Sequence, residues 1–162
     1  MRKILVFGNS GAGKSTLSKK LSSDDNLAHL DLDTLAFKKD SPTQRRDINE
    51  SMLEINEFIV KYNSWVIEGG YTDLLERLLE QANEIIFLDL SAEACQLNAK
   101  NRGWEPHKYE SKKAQDKNLD MLLGWILDYY EREDSFSEIE HNRIFQKFSG
   151  NKTRISNNYK IK

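Results

Sequence analysis

Residues Gly8-Asn9-Ser10-Gly11-Ala12-Gly13-Lys14-Ser15 carry the pattern G-x-x-x-x-G-K-[ST], and each residue type in it answers a need of one ligand, a polyphosphate. Gly8, Gly11 and Gly13 leave room for phosphate oxygens to approach main-chain N–H groups. Lys14 adds a point charge for the outer phosphates, Ser15 offers a hydroxyl to Mg²⁺, and the N-terminus of the helix that follows attracts the anion. Asn9, Ser10, Ala12 and Thr16 complete the set of residues expected around a bound nucleotide. The apolar run Ile4-Leu5-Val6-Phe7 before the loop and Leu17 and Leu21 after it supply the strand and helix that such a loop requires.

A phosphate loop acts on its ligand only with carboxylates to hold Mg²⁺ and orient an attacking group, because phosphoryl transfer is mostly positioning and charge neutralisation. Asp31 and Asp33 close a second apolar stretch, Glu68 closes a third, and Asp89 lies near the end of a fourth. In a parallel sheet those ends face the same way as the loop. Asp33 and Glu68 are assigned to acceptor activation and Mg²⁺ hydration, with Asp31 as an alternative carboxylate on the magnesium side. Asp89, beside Ser91, is read as a cap. Gly69 and Gly70 let a ligand come close to the backbone. Among the arginines, Arg45 and Arg46 begin an amphipathic segment, whereas Arg102 and Arg132 bracket an interrupted one. A lid that closes on nucleotide needs such permanent cations for the transferring phosphoryl group. Trp104, His107 and Tyr109 are read as aromatic anchors of that lid, and no His/Cys cluster points to zinc.

The elements that must position these groups follow from hydrophobic periodicity. Residues 2–7 read as a strand covered on both faces, and the helix from Lys14 to about Ser22 returns the chain. Residues 27–33 alternate as a second strand. Ser41-Pro42-Thr43-Gln44 reads as a capping box, opening a helix to about Tyr62 whose apolar face is Ile48, Met52, Ile55, Ile59 and Tyr62. Trp65-Val66-Ile67 is a third strand, Leu74, Leu75, Leu78 and Leu79 mark a helix, and residues 84–90 are a fourth strand. Ser91 caps a helix to about Asn101. The break at Gly103-Trp104-Glu105-Pro106-His107 precedes a long helix with Leu119, Leu122, Leu123 and Ile126. Ser135-x-x-Glu138 starts another helix, Lys152–Ile155 is a short fifth strand, and the last residues read as frayed. This rhythm predicts an α/β fold in which a parallel sheet of about five strands is flanked by helices, with a lid over roughly 102–132.

With 162 residues the expectation is a single domain, 1–162. The formal net charge of −2 gives no field to gather nucleic acid or anionic membrane. Cys95 is the only cysteine, no apolar run suits a signal peptide or a bilayer span, and mean hydropathy is −0.70. A cytoplasmic setting and small-molecule ligands are therefore expected, with the oligomeric state left open.

The phosphate loop together with Asp31-x-Asp33 resembles the small-molecule P-loop kinases, the group that contains shikimate kinase and adenylate kinase, and the likeness spans most of the chain. It implies the three-layer fold of P-loop NTP hydrolases, with ATP and Mg²⁺ as cofactors and a small-molecule acceptor. In shikimate kinases a similar D-x-D turns one carboxylate to magnesium and the other to the acceptor hydroxyl, which implicates Asp31 and Asp33 respectively. Gly69-Gly70 resembles the acceptor-side glycine segment of those kinases. Trp65-Val66-Ile67-Glu68-Gly69 is similar to the third strand of nucleoside monophosphate kinases and of adenylate-kinase-like topology modulation proteins, where the residue matching Glu68 is acidic and near magnesium. Arg102 matches the arginine that opens the family's lid. The chain departs from nucleoside monophosphate kinases in having no Phe-Pro-Arg after Glu68-Gly69, and from shikimate kinases in having no third glycine after Gly70. Arg45 or Arg46 stands in for the carboxylate-binding arginine. Asn151-Lys152-Thr153-Arg154 has Arg where a guanine-reading segment needs Asp, so adenine is the expected base. The reading is an ATP- and Mg²⁺-dependent kinase of a small hydroxyl- or phosphate-bearing metabolite; the alternative is a nucleotide-binding ATPase or regulatory switch without an acceptor.

Overall fold

The computed structural model describes residues 1–158, apart from the side chain of Pro42; the expected fraying of the final residues lies outside them. Its centre is β1 (Lys3–Gly8), whose residues Ile4 to Phe7 are fully buried. It is flanked in parallel by β5 (Trp65–Glu68) and β6 (Glu84–Leu88), and β2 (Ala28–Asp31) and β7 (Asn151–Ile155) complete the sheet in the order β2-β5-β1-β6-β7. Successive strand residues point to opposite faces, so each inner strand must be apolar on both. Leu5, Phe7, Trp65, Ile67, Ile85 and Phe87 face one side, against Met52 and Ile55 of α3 (Ile48–Lys61), Leu74 and Leu75 of α4 (Thr72–Leu75) and Ile144 of α8 (Glu138–Lys147). Ile4, Val6, Val66, Ile86 and Leu88 face the other, against Leu17 of α1 (Lys14–Asp25), Cys95 and Ala99 of α5 (Ala92–Lys100) and Ile126 of α7 (Leu119–Asp128). Helix, sheet and helix make the expected three layers. Every strand of this sheet ends on the same edge, where the phosphate loop is.

Several local expectations give way to tertiary pairing. Ser41–Arg45 is not the start of a helix; it is a strand, β4, antiparallel to β3 (Phe37–Lys38), with Phe37 opposite Arg45. The helix opens instead at Ile48, capped by Asp47, whose Oδ1 accepts from the N–H groups of Asn49 and Glu50 at 2.9 and 3.3 Å. Asp47 thus satisfies two of the N–H groups that the start of the helix leaves without partners. Strand β2 stops at Asp31, because Asp33 opens a one-turn helix, α2 (Asp33–Ala36), and donates its N–H to Asp31 Oδ1 at 2.9 Å. The two acids are thus joined by a turn, not spaced along an extended strand. Helix α8 is capped by Ser137, not Ser135, whose carbonyl accepts from the N–H and Oγ1 of Thr72. Asp89 does not cap α5, a role filled by Ser91; it pairs with Arg154 at 2.7 Å. The lid segment holds two helices, α6 (Lys112–Lys117) and α7, broken at Asn118.

Between the sheet and the last helix sits His141, fully buried among the rings of Phe7, Phe87, Tyr129 and Phe136. Its Nε2 donates to the Gly70 carbonyl at 2.6 Å, so Nδ1 of the neutral ring accepts from the Tyr129 hydroxyl at 2.8 Å. Burial carries its pKa down to about 3. The folded value lies below the unfolded one, near 6.5, so the stability it contributes is complete above about pH 6.5 and is lost as pH falls towards 3. His141→Gln, neutral throughout, removes that contribution. Urea midpoints measured from pH 7 to pH 4 are expected to fall less steeply in the variant than in the wild type, whatever its absolute stability. Equal slopes would show that His141 titrates normally in the folded chain.

Candidate nucleotide and acceptor site

The phosphate loop is held open from both sides. Gly11 and Gly13 have φ of 77° and 91°, and a Cβ on Gly11 would overlap the Cys95 carbonyl, so the loop lies directly on α5. Asn98 of α5 donates to the Gly11 carbonyl at 2.8 Å, and Asn9 ties the loop to α7 by donating to the Ile126 carbonyl at 3.0 Å while its Oδ1 accepts from Ser10 N–H at 2.8 Å. Asn98 is a support that the motif gave no reason to single out. Gly13 takes the N-cap position of α1, and no described side chain caps that helix, so its first turn presents N–H groups to the loop. Lys14 Nζ donates to the carbonyls of Gly8 and Asn9 at 3.2 and 2.8 Å. Burial lowers its pKa, opposed by the charges of Asp33 and Glu68. Cys95 itself is buried and its thiol is pushed up to about 11, which makes it a packing residue.

At the end of β5 the Glu68 side chain is 2% exposed. One of its oxygens accepts from the Ser15 hydroxyl and the other from His29 Nε2, at 2.6 Å in the latter case. Burial pushes its pKa up, but the hydrogen bonds from His29 and Ser15 and the charges of His29 and Lys14 outweigh it, and the carboxyl stays ionised. His29 was missed by sequence reading because it sits at an ordinary polar position of an alternating strand. Asp31 is level with Glu68 across the β2–β5 pairing. Burial and the neighbouring Asp33 raise its pKa. Asp33 goes the other way: burial raises its pKa, and the charges of Lys108 and Lys14 more than reverse that. Lys108 Nζ lies 3.0 Å from Asp33, 3.8 Å from Asp31 and 3.5 Å from Glu105, and His107 is 3.7 Å from Asp31. The lid segment therefore rests on the acidic pair through Lys108, a residue indistinguishable in sequence from any surface lysine.

The predicted arginines divide. Arg102 makes one ion pair within the lid, to Glu105 at 3.1 Å. Arg132 is fixed: its guanidinium lies 3.4 Å from the Trp125 ring centre and donates to the carbonyls of Trp125 and Phe136 at 2.8 to 3.0 Å. Arg45 is paired with Asp73, and Arg46 with Glu54 and Glu50. Gly69 and Gly70 are required by the chain's own packing, since a Cβ on Gly69 would meet Leu32 at 2.7 Å and one on Gly70 would overlap the Phe136 ring. Of the three aromatic residues expected to anchor the lid, Trp104 and Tyr109 are tied into it, Trp104 Nε1 donating to the Tyr109 carbonyl and Asn118 to the Tyr109 hydroxyl, whereas His107 faces Asp31 and Glu105.

The Ser15 hydroxyl and the carboxylates of Glu68 and Asp31 are hard oxygen donors at one cleft edge, the chemistry that suits Mg²⁺. Among the described residues no group of three or more His, Cys, Asp or Glu side chains forms a metal centre. A nucleotide-borne Mg²⁺ needs only one or two protein ligands beside phosphate and water.

Fold and loop together define a P-loop nucleotide-binding protein. The AAA_18 family model, described as an AAA domain, matches residues 4–118, and the chain belongs to that family. It is 27% identical over 161 residues to a shikimate kinase of Staphylococcus haemolyticus, across 93% of this chain and 86% of that one. A gluconokinase from Sinorhizobium meliloti shares the fold at a TM-score of 0.55 and 16% identity, over 97% of this chain and 84% of its own. A shikimate kinase from Bacteroides thetaiotaomicron aligns at a TM-score of 0.49 and 16% identity, over 90% of this chain and 97% of its own. The expected kinship with small-molecule P-loop kinases is borne out at family level. No helix among the described residues is long and apolar enough to cross a membrane.

The contact between Lys108 and Asp33 makes a measurable prediction. Lys108→Met removes the largest opposing charge and leaves burial to act, so the Asp33 carboxyl should titrate at higher pH than in the wild type. A carboxyl-carbon NMR titration of the two proteins reads this directly, and coincident curves would mean that Lys108 does not rest on Asp33 in solution.

Proposed function

We propose that the protein is an ATP- and Mg²⁺-dependent phosphotransferase that acts on a small hydroxyl- or phosphate-bearing metabolite. The supporting observation is that Lys14 and Ser15, Glu68, and the Asp31–Asp33 turn come from three different strand ends and meet at one edge of the sheet. A plain phosphate-binding loop has no need of the last of these. The loop N–H groups and Lys14 hold the outer phosphates and take up the charge that grows on them. Ser15, Glu68 and Asp31 are the residues that would hold Mg²⁺, which when bound supplies further neutralisation of phosphate charge. Asp33 accepts a hydrogen bond from the acceptor hydroxyl and takes its proton as oxygen bonds to the γ-phosphorus. The bond from that phosphorus to the bridging oxygen breaks, and ADP leaves. Arg102, whose side-chain partner among the described residues is Glu105 of the same segment, is the cation that would follow the lid towards the phosphates. The fixed Arg132 instead shapes the wall beside Phe136, whose ring centre is 5.7 Å from Lys14 Nζ.

ATP-dependent phosphorylation of a metabolite pool, with water as the control acceptor, tests this. Transfer to a pool component should exceed hydrolysis; nucleotide consumption with no labelled acceptor would leave an ATPase instead. Lys14→Ala should abolish transfer in a folded protein. Asp33→Asn should keep ATP affinity within a few-fold and cut transfer by roughly 10²–10⁴, the scale of general-base catalysis. Loss of ATP binding in that variant would move Asp33 to the magnesium side.

A further inference from the structure

Beside the helical turn that Asp33 opens, the chain neutralises its own arginine. Arg45 ends β4, and its Nε donates to the Ala36 carbonyl at 3.2 Å while its Nη2 reaches both carboxylate oxygens of Asp73 at 3.1 Å. The guanidinium lies 4.2 Å from the centre of the Tyr71 ring. Ala36 closes the single helical turn that Asp33 opens, so this cluster adjoins the carboxylate assigned to the acceptor hydroxyl. Burial and then the charge of Asp33 hold the Tyr71 hydroxyl protonated against the opposing charge of Arg45, which places Tyr71, Asp33, Arg45 and Asp73 in one electrostatic neighbourhood. Arg45 and Asp73 are both partly shielded, with side chains 31% and 28% exposed.

Resting on the kinase reading, we infer that Asp73 sets the acceptor class: the site takes an uncharged polyhydroxy compound and turns away acceptors that carry a carboxylate or phosphate. A guanidinium already matched by a carboxylate offers little net charge to a second anion. That anion would also meet Asp33 and Asp31, and to capture Arg45 it would have to displace Asp73 and leave a partly shielded carboxylate without its partner. Lys108, a further cation beside Asp33, is matched in the same way by Asp33, Asp31 and Glu105. An uncharged polyol meets none of these costs. Carboxylates accept from its hydroxyls, and the Tyr71 hydroxyl and Arg45 donate to them.

Matched pairs of probes isolate the charge: gluconate against glucitol, and shikimate against its methyl ester. Binding is measured calorimetrically on the full chain with ADP and Mg²⁺, so that no phosphoryl transfer is needed and the result is separate from the kinase test. In the wild type the uncharged member of at least one pair should bind about tenfold or more tightly than its carboxylate. Asp73→Asn frees Arg45 and should shift that ratio about tenfold towards the carboxylate, the worth of one charge-assisted hydrogen bond. Adding Arg45→Met to Asp73→Asn should restore the wild-type ratio, and Asp73→Ser serves if the first variant does not fold. A wild type that prefers the carboxylate, a ratio unmoved by freeing Arg45, or four probes bound by neither protein would each overturn the inference. A carboxylate preference accompanied by transfer to an acceptor would do so while leaving the kinase reading intact.

Discussion

A carboxylate with almost no solvent contact has to be satisfied within the protein, and the Glu68 carboxylate draws three elements together to do so. Burying an isolated charge is costly enough that the group ordinarily takes up a proton instead. Glu68 avoids this through Ser15 at the start of α1, His29 on β2 and the charge of Lys14. Those partners fix the start of α1 against the end of β5 and align β2 beside it, which is where the phosphate loop needs to be. Apolar strands alone would pack the sheet without specifying this edge, because both faces of β1 are hydrophobic and neither favours a particular loop geometry.

The opposite wall is set by the space that glycine leaves. Gly70 follows Glu68 by two residues, and the Phe136 ring fills the volume a side chain there would take. Phe136 in turn contacts Tyr71, Trp125, Tyr129 and His141 edge-on or tilted, with ring centres 5.3 to 6.4 Å apart. Such arrangements are favoured by the ring quadrupoles. The neutral His141 closes the circuit by donating back to the Gly70 carbonyl. The chain beyond the lid is therefore part of the wall that faces Lys14, and the segment between Arg102 and Arg132 is tethered at both ends to the site it covers.

What could be read from the sequence was whatever rests on local pattern. The strands, the sheet and the phosphate loop follow from runs of apolar residues and glycine spacing, and the carboxyl-end rule put Asp31 and Glu68 side by side on the loop's edge of the sheet without any knowledge of contacts. The hairpin of β3 and β4 was hidden because Ser41-Pro42 satisfies the rules for a helix start. It yields to the pairing of Phe37 with Arg45 and to a better cap at Asp47. The shift of α8's cap from Ser135 to Ser137 has the same origin, since both serines precede a glutamate by three residues and only the tertiary contact with Thr72 separates them. His29, Asn98 and Lys108 were not legible. Their significance depends on which distant residue they face, and a single sequence does not contain that distance.

The two arginines that bracket the lid look equivalent in sequence and differ in what it takes to move them. The stacking of Arg132 on Trp125 and its bond to the Trp125 carbonyl lie within the lid segment, but moving Arg132 towards phosphate with that segment would break its two hydrogen bonds to the Phe136 carbonyl outside it. Each broken bond to a charged donor is worth about 1.5–3 kcal/mol unless replaced. Arg102 gives up one partly exposed pair with Glu105, of the kind whose net value is about 0–1 kcal/mol. A lid that must open for each nucleotide works best when the cation it carries is the weakly held one and the strongly held one stays with the frame. The same reasoning applies to Lys108. Its contacts with Asp33 and Asp31 join the lid segment to the acidic pair, while Glu105 pairs with it from within that segment, and a polyphosphate at the loop would compete for that ammonium with a higher charge density than any single carboxylate offers. On the proposed function, nucleotide entry and release of the acidic pair would be coupled by charge.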